Sequence, residues 1–340
     1  MKNIVIGQPS RDSGFAMEGY WIWDPSVVRG EDGRYHMFAS RWPDWLPMHP
    51  GWLLKSEVIR AVSDTPAGPY IFQEVVLPAR GAKYWDGRAT HNPRVIKHGD
   101  TYLLFHIGMT HSFLEIQNGE SLKWEDPRSR AAHASKRIGL ATSKSVFGPW
   151  ERSDSPILDT KPGTLYSYLT SNPAPCVHKD GAVTMIFKAR AHNGLTHGPM
   201  TLALARAPHY SGPYTVISQE PIFSPTRLGE VEDPFLWHGE KGFELIAKDM
   251  WGTLCGEHHG GLHALSTDGE NWQLADKPLF YSRSITWDDG ESQTLGSFER
   301  AFLFFEDGVP TYLFGATADG PGGFTHARKT WNMGIPVSLE

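Results

Sequence analysis

One pattern recurs five times along the 340 residues of this chain and restricts its fold more than any other feature. Each copy begins with Asp, Asn or Arg, followed in four copies by proline; an apolar stretch, a glycine-containing turn and a second apolar stretch come next. Such a sequence predicts two β-strands joined by a hairpin turn. Successive copies are 68, 80, 61 and 67 residues apart, and they begin at Trp23-Asp24-Pro25, His91-Asn92-Pro93, Ser171-Asn172-Pro173, Glu232-Asp233-Pro234 and Glu299-Arg300-Ala301.

A second pattern follows each of the first four copies in the same order. It is a strand of small residues and then an aromatic residue after a turn: Ala61-Val62-Ser63 with Gly68-Pro69-Tyr70, Leu140-Ala141-Thr142-Ser143 with Gly148-Pro149-Trp150, Leu204-Ala205-Arg206 with Gly212-Pro213-Tyr214, and His263-Ala264-Leu265-Ser266 with Asp268-Gly269-Glu270-Asn271-Trp272. Each unit therefore contains four short strands. A four-stranded antiparallel unit repeated around an axis is a propeller blade. The sequence predicts an all-β, five-bladed β-propeller with four-stranded antiparallel blades around a central channel, in one domain over residues 1–340.

The units are longer than the roughly 40–50 residues of common propeller repeats, so we expect inserted loops. They fall at residues 41–57, 78–91, 107–137, 188–201 and 248–260. The tail from Phe324 to Trp331 is expected to add one strand to the last blade, and the N-terminal segment Asn3–Ile6 to help close the ring.

Composition excludes several classes of function. The formal net charge of −6 argues against a nucleic-acid partner, which requires a basic face. The sequence contains no run of about 18 apolar residues, so it predicts no membrane span. The apolar run near the N-terminus is too short for a signal peptide, so we expect a cytoplasmic protein, or a periplasmic or secreted one if a leader was removed. Two cysteines do not indicate a disulfide framework.

The five openings should converge, because the innermost strands of all blades begin at the same end of a propeller channel. Their side chains would then surround one pocket: Trp23-Asp24, His91-Asn92, Ser171-Asn172, Glu232-Asp233 and Glu299-Arg300. Burying several unpaired carboxylates is costly, and Arg300 can offset only part of their repulsion. The pocket is therefore expected to be functional, although carboxylates that cap strands at a solvated channel mouth would give the same pattern.

Paired carboxyl groups in an aromatic pocket are typical of glycoside hydrolysis. That reaction requires one carboxyl group to be ionised and the other to be protonated. The loop at 41–52 contains Trp42, Trp45 and Trp52 among polar and turn residues. We expect Trp42 and Trp45 to stack on a sugar, while a locally packed loop would use the same residues.

These residues also carry a family resemblance. The order Asp-Pro, Asn-Pro, Asn-Pro and Glu-Asp-Pro, with Ala-x-Ser strands and Gly-Pro-Tyr/Trp turns, resembles the five-bladed propellers of glycoside hydrolase family 43 and the related family 117 over residues 20–320. The resemblance implies that Asp24 is the general base of an inverting reaction and Glu232 the general acid, with Asp233 in place of the family's glycine.

Two departures limit the transfer of roles. Asn172 stands where family 43 has an Asp that tunes the acid, so Asp233 or Glu299 is expected to supply that charge. The position of the histidine acid of family 117 corresponds to Phe298. The acid is therefore open between Glu232 and Glu299, and Glu232 is favoured.

The resulting hypothesis is an exo-acting, inverting glycosidase that releases a terminal sugar from an oligosaccharide or a plant or algal polysaccharide fragment. Its expected catalytic residues are Asp24, Glu232, Asp233 and Glu299, and its expected substrate-binding residues are Trp23, His91, Asn92, Asn172, Arg300, Trp42 and Trp45. No cofactor is required, with a structural calcium or similar ion in the channel as an option. The histidines near Glu257-His258-His259 match no metal motif, so no metal ligand is predicted.

Two other functions remain open. A carbohydrate-binding propeller without catalysis would tolerate replacement of Asp24 by an amide. A glycoside phosphorylase needs a basic phosphate pocket, for which only Arg300 is placed, with Arg88 and Arg94 near the openings in sequence. A fructosidase-like hydrolase would show an Asn-Asp-Pro-Asn box in the first blade, which this chain lacks. In each case the expected partner is a small carbohydrate, whose identity, like the oligomeric state, the sequence leaves open.

Overall fold

The structure is a computed structural model that describes residues 4–320, 323 and 326–340. Its strands form five four-stranded antiparallel sheets and two small hairpins, which confirms the predicted all-β five-bladed propeller. The first strand in the chain is β1 (Ile4–Ile6). Blade one consists of β2 (Tyr20–Arg29), β3 (Tyr35–Pro43), β4 (Glu57–Ser63) and β5 (Ile71–Leu77), and blade two of β6 (Ala89–His98), β7 (Thr101–Met109), β8 (Arg137–Ser143) and β9 (Glu151–Arg152).

The remaining blades follow in chain order. Blade three consists of β10 (Leu169–Val177), β11 (Val183–Arg190), β14 (Thr201–Ala207) and β15 (Thr215–Val216), with the hairpin β12 (His192–Asn193) and β13 (Thr196–His197) inserted. Blade four consists of β16 (Val231–Gly239), β17 (Gly242–Asp249), β18 (Gly261–Ser266) and β19 (Gln273–Tyr281). After the hairpin β20 (Ser284–Thr286) and β21 (Ser292–Thr294), blade five contains β22 (Ser297–Glu306), β23 (Val309–Ala318) and β24 (Thr330–Leu339).

Both ends of the chain complete blade five. From the axis outward its order is β22, β23, β24 and β1, and Ile4 pairs with Leu339 in the antiparallel register of the outermost pair. The N-terminal segment therefore joins this blade as expected, whereas the strand of the tail runs over Thr330–Leu339 and shares only Thr330 and Trp331 with the expected range. Asn3, Phe324 and Thr325 lie outside them.

The blades pack through apolar faces around a ring of inner strands. The inner strands contact one another in a closed cycle, in the order β2, β6, β10, β16 and β22. Between blades three and four the core contains Ile186, Leu204, Leu245 and Leu262, all with essentially no exposed surface. Burial of such side chains stabilises the fold by about 1.5–3 kcal/mol each.

The two repeated patterns have clear local causes. In blade five, Asp307 and Gly308 form a two-residue turn with φ angles of 50° and 78°, which is the left-handed conformation that a tight hairpin requires. The aromatic residue after the third strand fastens its own turn. Tyr70 Oη donates to the carbonyl of Pro66 at 2.8 Å, and Tyr214 Oη to that of Tyr210 at 2.8 Å.

The five openings do not lie at strand starts, as we expected for Asp24 and Pro25, and that expectation is wrong. β2 begins at Tyr20, and its register with β3 shifts between Trp23 and Ser26, which is a β-bulge inside the strand. Equivalent shifts occur in β6, β10, β16 and β22. A proline is tolerated there because a bulge leaves one residue out of the hydrogen-bonded ladder.

The insertions cover one end of the axis, hereafter the upper end. The loops at 41–57 and 107–137 contain helices α1 (Met48–Lys55) and α2 (Pro127–Ala134), which contact each other, and α1 also contacts β6. A short helix, α3 (Pro225–Leu228), precedes β16. None of the helices in the described part of the chain is long and apolar enough to cross a membrane.

Candidate active site

A ring of five residues surrounds the propeller axis, one at each bulge. All five have left-handed backbone conformations, with φ angles of 56°, 53°, 46°, 56° and 56° for Asp24, Asn92, Asn172, Asp233 and Arg300. We call these residues the axial ring. Asp and Asn tolerate this conformation better than other side chains because they are short and can hydrogen-bond locally. The recurrence of Asp and Asn at the openings therefore has a backbone cause as well as a chemical one.

Arg300 is the exception in the axial ring, since an arginine in this conformation is strained by roughly 1–2 kcal/mol. Its side chain compensates by joining two carboxylates across the axis. Nε lies 2.8 Å from Asp24 Oδ1, and Nη1 lies 3.3 Å from Asp233 Oδ1. All three residues are buried, so these ion pairs act in a medium that screens them weakly.

Asp24 is completely buried, with 0% of its surface exposed, and its carboxylate accepts bonds from every side. Besides Arg300, the donors are Ser40 Oγ at 2.7 Å, Asn92 Nδ2 at 2.8 Å and His91 Nε2 at 3.0 Å. Burial raises the pKa of Asp24. The contacts with His91, Arg300 and Ser40 lower it by more, so that it lies well below its usual range. A carboxylate held in this way has no free position for a water molecule, so the geometry favours an orienting role over that of a base.

Asp233, on the other side of the axial ring, accepts through Oδ1 from both Arg300 and Asn172. Asn172 Nδ2 donates to Asp233 Oδ1 at 2.5 Å. Beneath the ring lies Arg94, which the sequence placed only near an opening. Its Nη1 donates to the carbonyl of Pro25 at 3.1 Å, and Nη2 to that of Ala301 at 3.1 Å. Two carboxylates and two guanidinium groups thus balance one another at the centre of the propeller.

Directly above the ring, four side chains alternate in charge: Lys188, Glu232, Lys248 and Glu299. We call them the ion-pair row. Lys188 Nζ lies 2.5 Å from Glu232 Oε2, while Lys248 Nζ lies 3.5 Å from Glu232 Oε1 and 2.6 Å from Glu299 Oε1. Sequence reasoning missed both lysines, which lie on the second strands opposite Ser171 and Glu232.

The two glutamates of the row have opposite pKa shifts. Burial raises the pKa of Glu232, but Lys188 and Lys248 outweigh it and hold the pKa well below its usual range. For Glu299, burial raises the pKa; Lys248 opposes this, but Asp233 and Glu232 add to it, so that the pKa is raised overall. The side chains remain partly accessible, 13% for Glu232 and 7% for Glu299. The surroundings thus lower the pKa of one carboxyl group and raise that of its neighbour.

Aromatic side chains from α1 form a wall beside this row. Trp52 stacks on His91 with ring centroids 4.6 Å apart, and His49 stacks on Trp124 at 5.4 Å. The pKa of His49 is lowered to about 4 by burial and by Lys136 and Lys188, although the residue is exposed to solvent, as expected for a side chain in a concave site.

The expected stacking residues are placed differently. Trp42 is only 1% exposed and packs in a core with Trp21 and Trp23. Stacking of Trp42 on a sugar and substrate binding by Trp23 stay predictions, without support from this burial. Trp45 is 37% exposed and remains open to solvent. Trp52, from the same insertion, is the indole in contact with His91.

The geometry of the axial ring does not suit a metal ion. The oxygens of Asp24 and Asp233 accept from guanidinium and amide donors, which a cation would have to replace. Over residues 4–320, 323 and 326–340, no three or more His, Cys, Asp or Glu side chains are grouped so that they could hold a metal. A calcium ion in the channel stays a prediction, without support from these contacts.

Comparison with known proteins relates the chain to others through its fold. No protein-family model and no curated protein sequence matches it. Among solved structures, a family 117 glycoside hydrolase produced by the marine bacterium Zobellia galactanivorans superimposes with a TM-score of 0.65 at 14% identity, covering 100% of this chain and 90% of that chain.

Two further structures are similar over nearly their whole length. A thermostable family-43 glycoside hydrolase gives a TM-score of 0.62 at 12% identity, covering 98% of this chain and 96% of that chain. A family-43 β-xylosidase/α-arabinofuranosidase from a compost microbial metagenome, solved with xylotriose, gives 0.58 at 14% identity, with coverage of 100% and 95%. The chain therefore has the five-bladed propeller fold found in glycoside hydrolases of families 43 and 117.

Proposed function

We propose that this protein is a glycosidase that releases a terminal sugar from an oligosaccharide. The observation that carries the proposal is the pair Glu232 and Glu299, whose pKa values are shifted in opposite directions at the open end of the axis. Two carboxyl groups whose environments separate their pKa values are what glycoside hydrolysis needs. The shared fold with glycoside hydrolases of families 43 and 117 supports the same reaction class.

In this proposal Glu299 is the general acid and Glu232 the nucleophile. Glu299 donates its proton to the leaving oxygen while the ionised Glu232 attacks the anomeric carbon and forms a glycosyl ester. Glu299 then removes a proton from water, which attacks the same carbon and releases the sugar and Glu232. Asp24, which the sequence favoured as the base, orients His91 through its bond to Nε2.

The spacing of the two carboxyl groups supports a retaining reaction in place of the inverting one expected from the sequence. Glu232 Oε1 and Glu299 Oε1 lie 3.5 Å and 2.6 Å from the same Lys248 Nζ. These two oxygens are therefore closer together than the roughly 6.5–9.5 Å that separates the carboxyl groups of an inverting pair.

The surroundings of the pair support binding of a sugar end. The α1 insertion and Trp52 close the side of the axis next to blades one and two, which favours exo action on a chain end. Trp52 Nε1 donates to His49 Nδ1 at 3.1 Å, and the exposed side chain of His49 is placed to contact a sugar at the edge of this wall.

The test is hydrolysis of aryl furanosides and pyranosides by the wild type, Glu299→Gln, Glu232→Gln and Asp24→Asn. We expect Glu299→Gln to lose about 10²–10⁴-fold in kcat/KM on substrates whose leaving group needs protonation, and little in kcat/KM on 2,4-dinitrophenyl glycosides. With the latter a burst of dinitrophenol should precede slow turnover, because the second step lacks its base. Glu232→Gln should be inactive on both. Glu244→Gln, on β17 but paired with His263, is the matched control and should retain activity.

Other outcomes would decide against this assignment. If Asp24→Asn is inactive while correctly folded, and Glu232→Gln stays active, Asp24 is the base after all. Product anomers followed by NMR separate retention from inversion. If no glycoside is hydrolysed but sugars bind equally to all variants, the protein is a carbohydrate-binding propeller.

A further inference from the structure

Lys136 is a buried cation at the upper end of the axis that the proposed reaction does not use. It lies between α2 and β8, and only 2% of its surface is exposed. Its Nζ lies 5.1 Å from the ring centroid of Trp52, which itself stacks on His91. Lys136 is therefore part of the wall that faces the proposed substrate.

Among the described residues, no carboxylate lies within ion-pair distance of Lys136 Nζ and no acceptor forms a hydrogen bond with it. The acid that acts on it electrostatically is Glu232, which is already held by Lys188 and Lys248. Lysine is almost never buried without a partner, because an unpaired charge in the interior is costly.

The groups facing Lys136 from neighbouring elements increase the imbalance. Lys188 and Arg190, both on β11, act on it as like charges. Arg190 is occupied by other groups: Nη1 donates to His197 Nδ1 at 2.8 Å and to the carbonyl of Gly198 at 2.6 Å. His49, His133 and His197 complete the surroundings, and their lowered pKa values favour the neutral imidazole, so none of them offsets the charge of Lys136.

This side of the pocket thus differs from the axial ring, where each charge has an opposite partner. Burial, with Lys188 and Arg190, lowers the pKa of Lys136 well below its usual range. A bound anion would remove this penalty and would form the charge-assisted hydrogen bonds that Nζ lacks.

We propose that the ligand of this pocket carries an anionic group, a carboxylate, sulfate or phosphate, which Lys136 binds from the wall formed by Trp52. The proposal rests on the proposed function in that it names the substrate class of the same site. The anion is either a substituent of the sugar, such as the carboxylate of a uronic acid, or free phosphate acting as a co-substrate.

Direct binding tests the proposal without depending on turnover. Isothermal titration calorimetry would compare D-glucuronate with D-glucose, D-galacturonate with D-galactose, and inorganic sulfate and phosphate, at low and high salt. We expect at least one anionic probe to bind the wild type ten times or more tightly than its neutral counterpart, or, for the inorganic ions, with a measurable affinity that high salt weakens. Lys136→Met should abolish this preference.

The matched control is Lys144→Met, which removes an exposed lysine paired with Asp100 and should change nothing. Equal binding of charged and neutral probes by the wild type, with no binding of sulfate or phosphate, would overturn the proposal even if Lys136→Met does not fold. So would a folded Lys136→Met protein that keeps the preference. Lys136→Arg retains the charge and should retain part of the preference.

The outcomes separate this proposal from the glycosidase proposal and the two anion sources from each other. Anion binding without hydrolysis of any glycoside would leave the anion site standing and reject the glycosidase. Hydrolysis of neutral glycosides with no preference for anions would support the glycosidase and reject the anion site. Phosphate binding, with a sugar phosphate formed when phosphate is added to the assay, would identify a co-substrate; binding of a uronate but not of phosphate would place the charge on the sugar.

Discussion

The axial ring and the ion-pair row above it are adjacent, yet they treat charge differently. In the ring, Asp24 and Asp233 share Arg300, and each also accepts from an asparagine amide. In the row, Glu232 and Glu299 share one lysine and have opposite pKa shifts. In our proposal the ring is a structural centre and the row contains the reacting pair.

If this division is correct, a group of carboxylates at a propeller axis is not by itself a catalytic site. What distinguishes the two sets is the direction in which the pKa values of their carboxyl groups are shifted: that of Asp24 is lowered, while those of Glu232 and Glu299 are shifted apart. Neighbouring negative charges raise the pKa of a carboxyl group, so that it takes up a proton more readily than one held by several donors. The predictions below test this division, beginning with the largest expected effect.

Arg300→Met should destabilise the protein by about 3–5 kcal/mol, because it leaves Asp24 and Asp233 buried without their shared cation. Denaturant unfolding followed by fluorescence measures this change. The matched control is Arg34→Met, since Arg34 pairs with Asp64 on the surface; we expect less than about 1 kcal/mol there. Equal effects of the two substitutions would mean that the ring is not the structural centre.

Glu232→Gln should lower the pKa of Glu299, because one of the negative charges that raise it is removed. The carboxyl carbon of Glu299, observed by ¹³C NMR, should then titrate at a pH lower by about half a unit to one unit. Glu244 lies on β17, as Lys248 does, but it pairs with His263. Glu244→Gln should therefore leave the pKa of Glu299 unchanged. An unchanged pKa of Glu299 would mean that the charge of Glu232 does not influence it. The basis for giving the two glutamates different roles would then be lost.

Asn172→Ala should be less stable than Asn172→Gly by about 1 kcal/mol. Both variants lose the amide that donates to Asp233, but only alanine is strained at the left-handed φ of 46°. Thermal unfolding of the two variants side by side isolates the backbone contribution of the ring. A more stable alanine variant would show that the left-handed conformation is not required.

Glu31→Gln should have the smallest effect, since Glu31 is exposed and lies outside both sets. Burial raises its pKa, but hydrogen bonds from Ser145, Tyr102 and the backbone of Val146 together outweigh it and hold the pKa at about 2. Because the folded-state pKa lies below the unfolded value of 4.5, the contribution to stability is present above pH 4.5 and is lost as the pH falls towards 2. We expect a loss below about 1 kcal/mol at pH 7, and no difference from wild type near pH 2.

The fold could be predicted from the sequence because its signals are local and repeated. The Asp-Gly turn at residue 307 and the Tyr70 and Tyr214 turns each mark a strand boundary by their own chemistry. Five copies in one order leave few arrangements other than a ring. The bulges were missed, because Asp-Pro also fits the start of a strand and only the pairing register distinguishes the two.

The site was predicted less completely, since its charges come from across the sheet. Glu232 and Glu299 were found at the openings, whereas Lys188 and Lys248 lie on second strands and depend on pairing. A signal was present: each lysine interrupts an otherwise apolar strand, in IFKAR and LIAKD. The burial of Trp42 and the exposure of Trp45 could not be read from a loop with mixed residues.

The bulges also determine how the chemistry of this scaffold can vary. In a regular strand, neighbouring side chains point to opposite faces, but here adjacent residues such as His91 and Asn92 both contact Asp24. Each blade therefore contributes a pair of consecutive residues to the centre. Replacing one pair alters charge, hydrogen bonding and size at the axis while the strands on either side keep their pairing. A new specificity can therefore arise from changes at two neighbouring codons.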